Sequence, residues 1–547
     1  MDIFSSLYFP KDRIKALLLL LVVALVYLPF LNNPLIFDDF VLVGGGGVSY
    51  YADALFNFDF RWFPYSSLGV TWVFVGEEPM VFRVQNLLLH GLNVLLLLLL
   101  LRAWISLFIA QPDRRKMMEW GAWLAALIFA CHPLAVYGVG YLVQRSILMA
   151  TLFTLVLHLS YLRGLIEGNK HYAALAVAAY FLAVFSKEHS LLVPAILLPV
   201  TWVLREKINL SQRALLFTWL GFVVVASIVL LRAKGLLGQA YERDAATLLD
   251  QDGLLKGMPM VHLLSVLTQA GLFFKYLLLM LLPNPVWMSI DMRETFIMDW
   301  RDWQSWLGIA AYLIYGLAGL WCFLRGSGRL ALLGLALLYP WSLYPVEFSS
   351  VRVQEIFVLY RAYLWLPGLL LLIPVICGSL PERRILLGAV LSIVLLVPLA
   401  WNRLWTFADT FRLWDDAVQL LHGEDRLGSH RTYFNRARAA AAKKDWNEAI
   451  TGYRKSMSIN SNYTEVNVAL SRVLIDTEQY KAAVVELDEA IVKEPYNGEA
   501  YFVKAFALKS LHDNKGAIQA LKRSCDLNWQ QACAIISTKP RMRTDEP

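Results

Sequence analysis

In the stretch NPLIFDDF, residues 33–40, two adjacent carboxylates, Asp38 and Asp39, stand where a long apolar run ends. Acids placed there serve one of three purposes: they cap a helix, hold a cation, or accept a proton from a nucleophile. Two neighbouring carboxylates disfavour joint ionisation, so one is expected to act as base while the other orients the acceptor or tunes its neighbour. Asp38 is the expected base and Asp39 its partner. Further along, Arg61, His132, Arg145, Lys187, Glu355 and Arg361 fall in loops or at the ends of apolar runs. Arg361 suits an anion best, because a guanidinium grips phosphate bidentately; Arg145 and Lys187 follow. Lys187 also has a plainer reading, as a salt bridge to Glu188 or a snorkelling anchor.

The elements that must position these groups are membrane helices. The chain has 547 residues, 58% hydrophobic and only 17% charged, with mean hydropathy +0.51. A soluble domain is about half apolar and a quarter charged. A crossing needs roughly 20 apolar residues. Runs near 14–31, 87–109, 119–131, 146–162, 171–186, 190–205, 214–232, 304–323, 330–345, 363–380 and 385–401 meet that need. The first run is too long, and lacks the small-residue site, for a cleaved signal peptide.

The net charge of +7 sits largely in short loops. That is the positive-inside pattern and not a nucleic-acid footprint. Lys11, Arg13 and Lys15 place the N-terminus in the cytoplasm, and the basic loops at 113–116, 163–170, 205–207, 325–329 and 381–384 follow it. The apolar segment 263–283 is long enough to cross, but crossing would move the last two loops outside. It is therefore expected to lie in the interface or re-enter, with Lys275 in its middle. About eleven spans result, and the C-terminus emerges on the side of Asp38, Asp39 and the 32–86 loop.

From about residue 430 the sequence turns soluble and Ala-rich. Ala449, Ala483 and Ala517 recur every 34 residues, the tetratricopeptide period. Three helical hairpins are expected at 430–463, 464–497 and 498–531, with a closing helix, so that residues 430–540 form an α-solenoid joined through a linker, 406–429, to a membrane domain at 1–405. Such stacks present a concave face to polypeptide. If the repeats lie outside the cell, Cys525 and Cys533, which flank a helix–helix turn, are placed to pair in an oxidising compartment. In the bundle, Asn86, His90 and Asn93 share a helical face at i, i+4, i+7, and inter-helix hydrogen bonding accounts for them. The run Gly44–Gly47 reads as a flexible loop, since no P-loop Lys-Ser/Thr follows.

Several stretches, taken in order, carry a resemblance: RWFPYSSL (61–68), GEEPMVFRVQNLLLHGLN (76–93), HPLAVYGVGYLVQRSILMATLF (132–153), SKEHSLLVP (186–194), TQAGLFFKYLLLMLLPNPVWMSID (268–291) and VQEIFVLYRAYLWLP (353–367). Set ahead of tetratricopeptide repeats, they resemble the transmembrane-and-tetratricopeptide-repeat O-mannosyltransferases and their bacterial relatives, within the GT-C class of integral-membrane glycosyltransferases. Ala135, Val136 and Tyr137 stand where that family commonly has an acid after its HP motif, which sets the chain apart from the mannose-specific eukaryotic branch. The resemblance implies an all-α, GT-C-like bundle of about eleven spans and a catalytic acid just after the first span, where Asp38 stands. It also implies a sugar donor carried on a polyprenyl phosphate and a bacterial inner-membrane location with periplasmic repeats.

On that reading Asp38 deprotonates an acceptor hydroxyl, and Arg361, Arg145 and Lys187 meet the departing phosphate. Arg61 contacts sugar or acceptor. Glu355 contacts sugar hydroxyls or pairs with Arg352. His132 caps its span end, hydrogen-bonds the donor, or binds a metal. Tyr276 and Asp291 match family positions, with roles open. No cofactor is expected, and a divalent cation is left open. The expected activity is O-glycosylation of an exported protein, such as a pilin or another surface protein, through the repeats. Transfer to a lipid or surface polysaccharide, and a non-enzymatic scaffold that recruits partners, are the competing readings.

Overall fold

The computed structural model describes residues 10–45, 47–54, 58–240, 260–424 and 426–538. The expectations resting on the Lys11 side chain, on Gly46 and on residues 539–540 lie outside them. The chain forms two compact units, Met1–Thr410 and Phe411–Pro547. Among the described residues both are helical, with a single antiparallel bridge between Met292 and Phe357.

Unit 1 is a helical bundle. Its passes are α1 (Pro10–Tyr27), α2 (Pro79–Phe108), α3 (Pro112–Cys131), α4 (Arg145–Glu167), α5 (Lys170–Ser186), α6 (Val193–Val203) and α7 (Gln212–Arg232). After α8 (Val261–Leu281) come α9 (Leu307–Arg325), α10 (Arg329–Leu343), α11 (Ala362–Leu369, continued by Leu372–Cys377) and α12 (Glu382–Thr406). Proline at the first turn opens α2 and α3, where its missing N–H costs nothing. Asn169 and Ser211 cap α5 and α7 through backbone N–H groups.

The outer helices bury little of themselves. Only 22% of the most apolar stretch of α7, α9 or α12 is covered by protein. Leu216, Phe217 and Leu220 on α7, Ile314 and Leu317 on α9, and Val394 and Leu395 on α12 stand exposed. An apolar surface this extensive on three helices needs lipid around it, so unit 1 is a multi-pass membrane bundle. Among the described residues nine helices qualify as spans by length and composition alone, or ten with the bent pair at residues 112–139. The shorter apolar helices α5 and α6 bring the passes closer to the expected number.

α8 also qualifies by length and composition, but its contacts lay it across one end of the bundle. His262 meets the Phe348 carbonyl beyond α10, and Gly271 packs on Gly308 in the first turn of α9. Tyr276 bonds Val358 ahead of α11, and the Met280 carbonyl meets the His132 ring at the end of α3. All four contacts are at the end opposite the 109–112, 325–329 and 379–382 connections. These contacts run α8 along that end of the bundle, although its length and composition would also let it cross. Lys275 is ion-paired with Glu294. Among the described residues the other eleven labelled passes alternate in direction, and α12 finishes beside Asn33, whose side chain donates to the Leu404 carbonyl at 3.0 Å.

α8 has a second task. Residues 350–358 are irregular, and irregular backbone within a membrane protein must find partners inside it. Ser265, Gln269 and Tyr276 line one face of α8 and supply them. Ser265 Oγ donates to the Ser350 carbonyl (3.4 Å) and accepts from Arg352 N–H (2.9 Å). Gln269 Nε2 donates to Ile356 O at 2.7 Å, and the Tyr276 hydroxyl bonds both N–H and C=O of Val358.

In unit 2 the hairpins are Ser429–Ala442 with Trp446–Ile459, Glu465–Asp476 with Tyr480–Lys493, and Gly498–Ser510 with Asn514–Asp526, closed by Gln530–Thr538. Ala449 and Ala483 are fully buried at the helix crossings, and Ala517 nearly so. The turn residues Lys444, Glu478 and His512 repeat the same spacing with φ near +60°. The stretch expected as a linker, 406–429, holds the boundary between the units and a helix. Thr410–Gln419 is a helix with Leu413, Trp414 and Ala417 buried, and its Asp415 takes a 2.7 Å bond from Arg436 of the first repeat. Cys525 and Cys533 are joined in a disulfide.

Candidate functional site

The acidic stretch is held from three sides. Phe37 has φ +50°, a left-handed turn that reverses the chain after α1. Arg83, on α2, donates to the carbonyls of Leu31 (3.2 Å), Asn33 and Pro34 (2.6 Å), pinning the strand of chain before the acids. Asp39 then turns inward. Its carboxylate accepts from the N–H groups of Val143 (3.0 Å), Leu142 (3.3 Å) and Ile36 (3.5 Å). It is fully buried and does not reach the cavity described below. Burial pushes its carboxyl up to about 7, against the pull of the three N–H donors and Arg83. Asp39 therefore ties the loop to residues 142–143, and of its two expected roles the position fits tuning Asp38 rather than orienting an acceptor.

Asp38 faces the other way, into a polar cavity of about 280 Å³. Arg61, Gln144, Lys187, Glu355 and Arg361 share its wall. The Tyr141 hydroxyl sits on Asp38, accepting from its N–H at 3.2 Å and donating to its carboxylate. The surrounding protein raises the Asp38 carboxyl above the usual range. Tyr141, Lys187 and Arg61 oppose that rise, and Glu355 adds to it.

The cations differ in how far they are already spent. Arg61, in a left-handed conformation at the start of the 62–75 helix, forks onto Glu188 at 3.1 and 2.5 Å. Arg361 bonds Glu347 at 2.7 Å and Glu355 at 3.2 Å. Lys187 has no such clasp. Glu188, its expected partner, is taken by Arg61, and the Lys187 ammonium lies 4.9 Å over the Tyr360 ring. Burial, with Arg61 and Arg361 nearby, holds that ammonium down to about 7. An anion entering the cavity meets a lysine whose charge is still to be satisfied.

Other expected contacts lie elsewhere. Arg145 is buried outside the cavity, donating to Asn86 Oδ1 (3.0 Å), Ser67 Oγ (3.2 Å) and Phe82 O (3.3 Å), so it braces α4 on α2 rather than gripping phosphate. His132 accepts from Leu134 N–H at 3.2 Å and bonds the Met280 carbonyl, leaving the cap as its role. Tyr276 supports residue 358. Asp291 pairs with Arg293, which in turn donates to Gln354 O, so both shape the wall from behind. Asn86, His90 and Asn93 make the expected inter-helix bonds, His90 and Asn93 both to the Tyr363 hydroxyl. Among the described residues no cluster of three His, Cys, Asp or Glu side chains is shaped for a metal.

Two groups escaped the sequence reading. Glu347 is a fully buried acid that takes His189 and Arg361 at 2.7 Å each, with Arg352 at 3.5 Å. A lone acid at the end of an apolar span was its only signal. Tyr141 gave none, since its partner Asp38 lies 103 residues away.

Beside the cavity runs an apolar groove of about 450 Å³, walled by α7 residues such as Val229 and Leu230, by Leu191 and Leu192, and by Val346. Groove and cavity share Arg61, Tyr65, Glu188 and Arg352 as common wall. Neither a protein-family model nor a curated protein matches the chain.

Proposed function

We propose that the chain is an integral-membrane glycosyltransferase that moves a sugar from a polyprenyl-phosphate carrier to a hydroxyl of an exported protein. One observation carries this reading: a polar cavity with an accessible carboxylate and an unclasped lysine shares a wall with an apolar groove in a membrane bundle. That pairing suits an amphiphile with an anionic head and a hydrocarbon tail. Asp38 takes the proton of the acceptor hydroxyl as its oxygen attacks the anomeric carbon. The bond from that carbon to the phosphate oxygen breaks, and the phosphate leaves with the electron pair. Lys187 and Arg361 meet the charge that develops there. Glu347, Glu355 and Glu188 hold the arginines in place, and the Arg61–Glu188 pair stands between head and tail.

The repeats supply the polypeptide acceptor's docking face on this reading. The basic connections gather at the end of the bundle away from Asp38, which supports a cytoplasmic N-terminus and chemistry on the periplasmic side of a bacterial inner membrane. The disulfide in unit 2 supports repeats in the same oxidising compartment.

The test is glycan mass on exported proteins from cells carrying wild-type chain or Asp38→Ala, inserted and accumulated equally. Loss of one sugar mass from a protein supports the reading. A change confined to lipid or polysaccharide glycans moves the acceptor. Unchanged glycans sink the assignment of Asp38 and favour a scaffold.

A further inference from the structure

The acids beside Lys187 are engaged elsewhere, Glu188 by Arg61 at 3.1 and 2.5 Å and Glu355 by Arg361 at 3.2 Å. What lies under the Lys187 ammonium is a ring. Its Nζ stands 4.9 Å from the centre of the Tyr360 ring, inside the roughly 6 Å over which a ring face attracts a cation. Both residues line the polar cavity with Asp38.

The two backbones are fixed independently. The Lys187 N–H donates to the Ala183 carbonyl at 3.0 Å, at the end of α5, and the Lys187 carbonyl accepts from Ser190 N–H at 3.0 Å. Tyr360 is the middle residue of a short turn, Leu359–Arg361. Leu359 and Arg361 on either side are buried, Arg361 is bonded to Glu347 and Glu355, and the Tyr276 hydroxyl bonds Val358 just ahead of the turn. The flanks hold the turn, and the Tyr360 side chain is left to the cavity.

A carboxylate in the place of that ring would pair with Lys187 and compete with any anion that enters. A ring face draws the charge through its quadrupole and occupies none of the three ammonium donors. Arg61 and Arg361 repel the same charge, so a hold that does not neutralise it has a use here. We infer that Tyr360 is a positioning residue that holds the charged Lys187 in the cavity with its donors open to the phosphate of the lipid-linked sugar. This rests on the transferase reading. The ring does not cancel burial, which still keeps the ammonium down at about 7. Without the ring the charged form loses one of its supports.

The experiment uses the full chain in liposomes with polyprenyl-phosphate hexoses and a peptide acceptor, and reads donor KM from pH 5.5 to 9. Wild-type KM is expected to begin rising near pH 7. Tyr360→Leu and Tyr360→Met, two ways of removing the ring face, should start that rise about 0.5–1.5 pH units lower. At pH 8 their donor KM should then stand roughly 3- to 30-fold above wild type, and the curves should converge toward pH 5.5, where Lys187 is charged in all of them. A purely structural loss would raise KM at every pH alike. Tyr360→Phe keeps a ring face and should keep the wild-type onset. Ring-free variants whose rise starts at the wild-type pH overturn the inference and leave the transferase reading intact, as does a Tyr360→Phe onset shifted as far as theirs. Wild type that transfers none of these sugars overturns the transferase reading itself, and this inference with it.

Discussion

Arg61 and Glu188 clasp each other through two bonds, at 3.1 and 2.5 Å, and the clasp leaves the adjacent Lys187 over the ring of Tyr360. Burial holds the Lys187 ammonium down to about 7, far below an ordinary lysine. Bound phosphate stabilises the charged form and raises that value. Above pH 7 donor binding must then take up a proton, so donor KM should rise with pH from 7 to 9 and stay flat below 7. Lys187→Arg, charged throughout, should lose this slope. A wild-type KM that stays level across the range would remove Lys187 from the phosphate site.

The same lysine should cost stability. Its folded value lies below its unfolded one, so between pH 7 and about 10.4 the unfolded chain binds more protons and stability rises with pH. At pH 7 and below, the folded chain bears a penalty that Lys187→Met removes. That variant should melt higher than wild type at pH 6 while losing transfer. Thermal unfolding in detergent reads the first effect, and a lower midpoint would show that Lys187 has a stabilising partner.

The two aspartates should separate cleanly. Asp38→Asn keeps shape but loses the base, so kcat should fall about 10²- to 10⁴-fold with little change in melting. Because protein around Asp38 raises its carboxyl, the acid limb of kcat/KM should lie above the ordinary aspartate range. Asp39 acts on stability instead. Its folded value, about 7, exceeds the unfolded one, so stability falls as pH rises from about 4 through 7. Asp39→Ala strips three N–H groups of their acceptor and should destabilise by about 1–3 kcal/mol. Equal kinetic and stability effects from both variants would contradict this division.

Much of this was legible in the sequence, and the limits have physical causes. Loop charge set α8 apart from the other apolar runs where hydropathy alone would have let it cross, because charge reports on the side of the membrane and needs no contact. The 34-residue spacing of Ala449, Ala483 and Ala517 marked crossings where only a small side chain fits. Asp38, singled out by its place after the first pass, does line the polar cavity. Among alternatives left open for Asp39 and His132, and for Arg145, the sequence could not choose, because each spends its polar atoms on backbone or side chains that only the fold brings near. Arg145 finds Asn86 59 residues away. An arginine among apolar residues looks the same in sequence whether it faces a ligand or a neighbouring helix.

The size of the disulfide's effect follows from the length of the loop it closes. Cys525 and Cys533 are eight residues apart and staple the closing helix to the third repeat. Cross-linking so short a loop removes about 2–3 kcal/mol worth of unfolded-chain entropy. Cys525→Ser with Cys533→Ser should therefore expose the C-terminal helix to protease in the intact chain and leave the chemistry at Asp38 unchanged on a small acceptor peptide. Protease resistance equal to wild type would show that packing of Ala532 and Trp529 suffices.

Arg83 should behave as a positioning residue. It touches none of the cavity, yet its guanidinium spans the carbonyls of Leu31, Asn33 and Pro34 and so fixes where the chain enters the acidic turn. Those carbonyls are spread over four residues, and a planar fork reaches them together where the single ammonium of lysine reaches one at a time. Arg83→Lys keeps the charge near Asp39 and loses the fork. Asp38 should then wander from its productive place, and misplacement by about 1 Å costs on the order of 10²-fold in rate. The loss should appear in kcat, with donor KM held by Lys187 and Arg361 little changed. A variant that loses KM and kcat together would instead place Arg83 in the donor's binding energy. One that loses neither would show that Phe37, Tyr141 and Asp39 hold the turn without it.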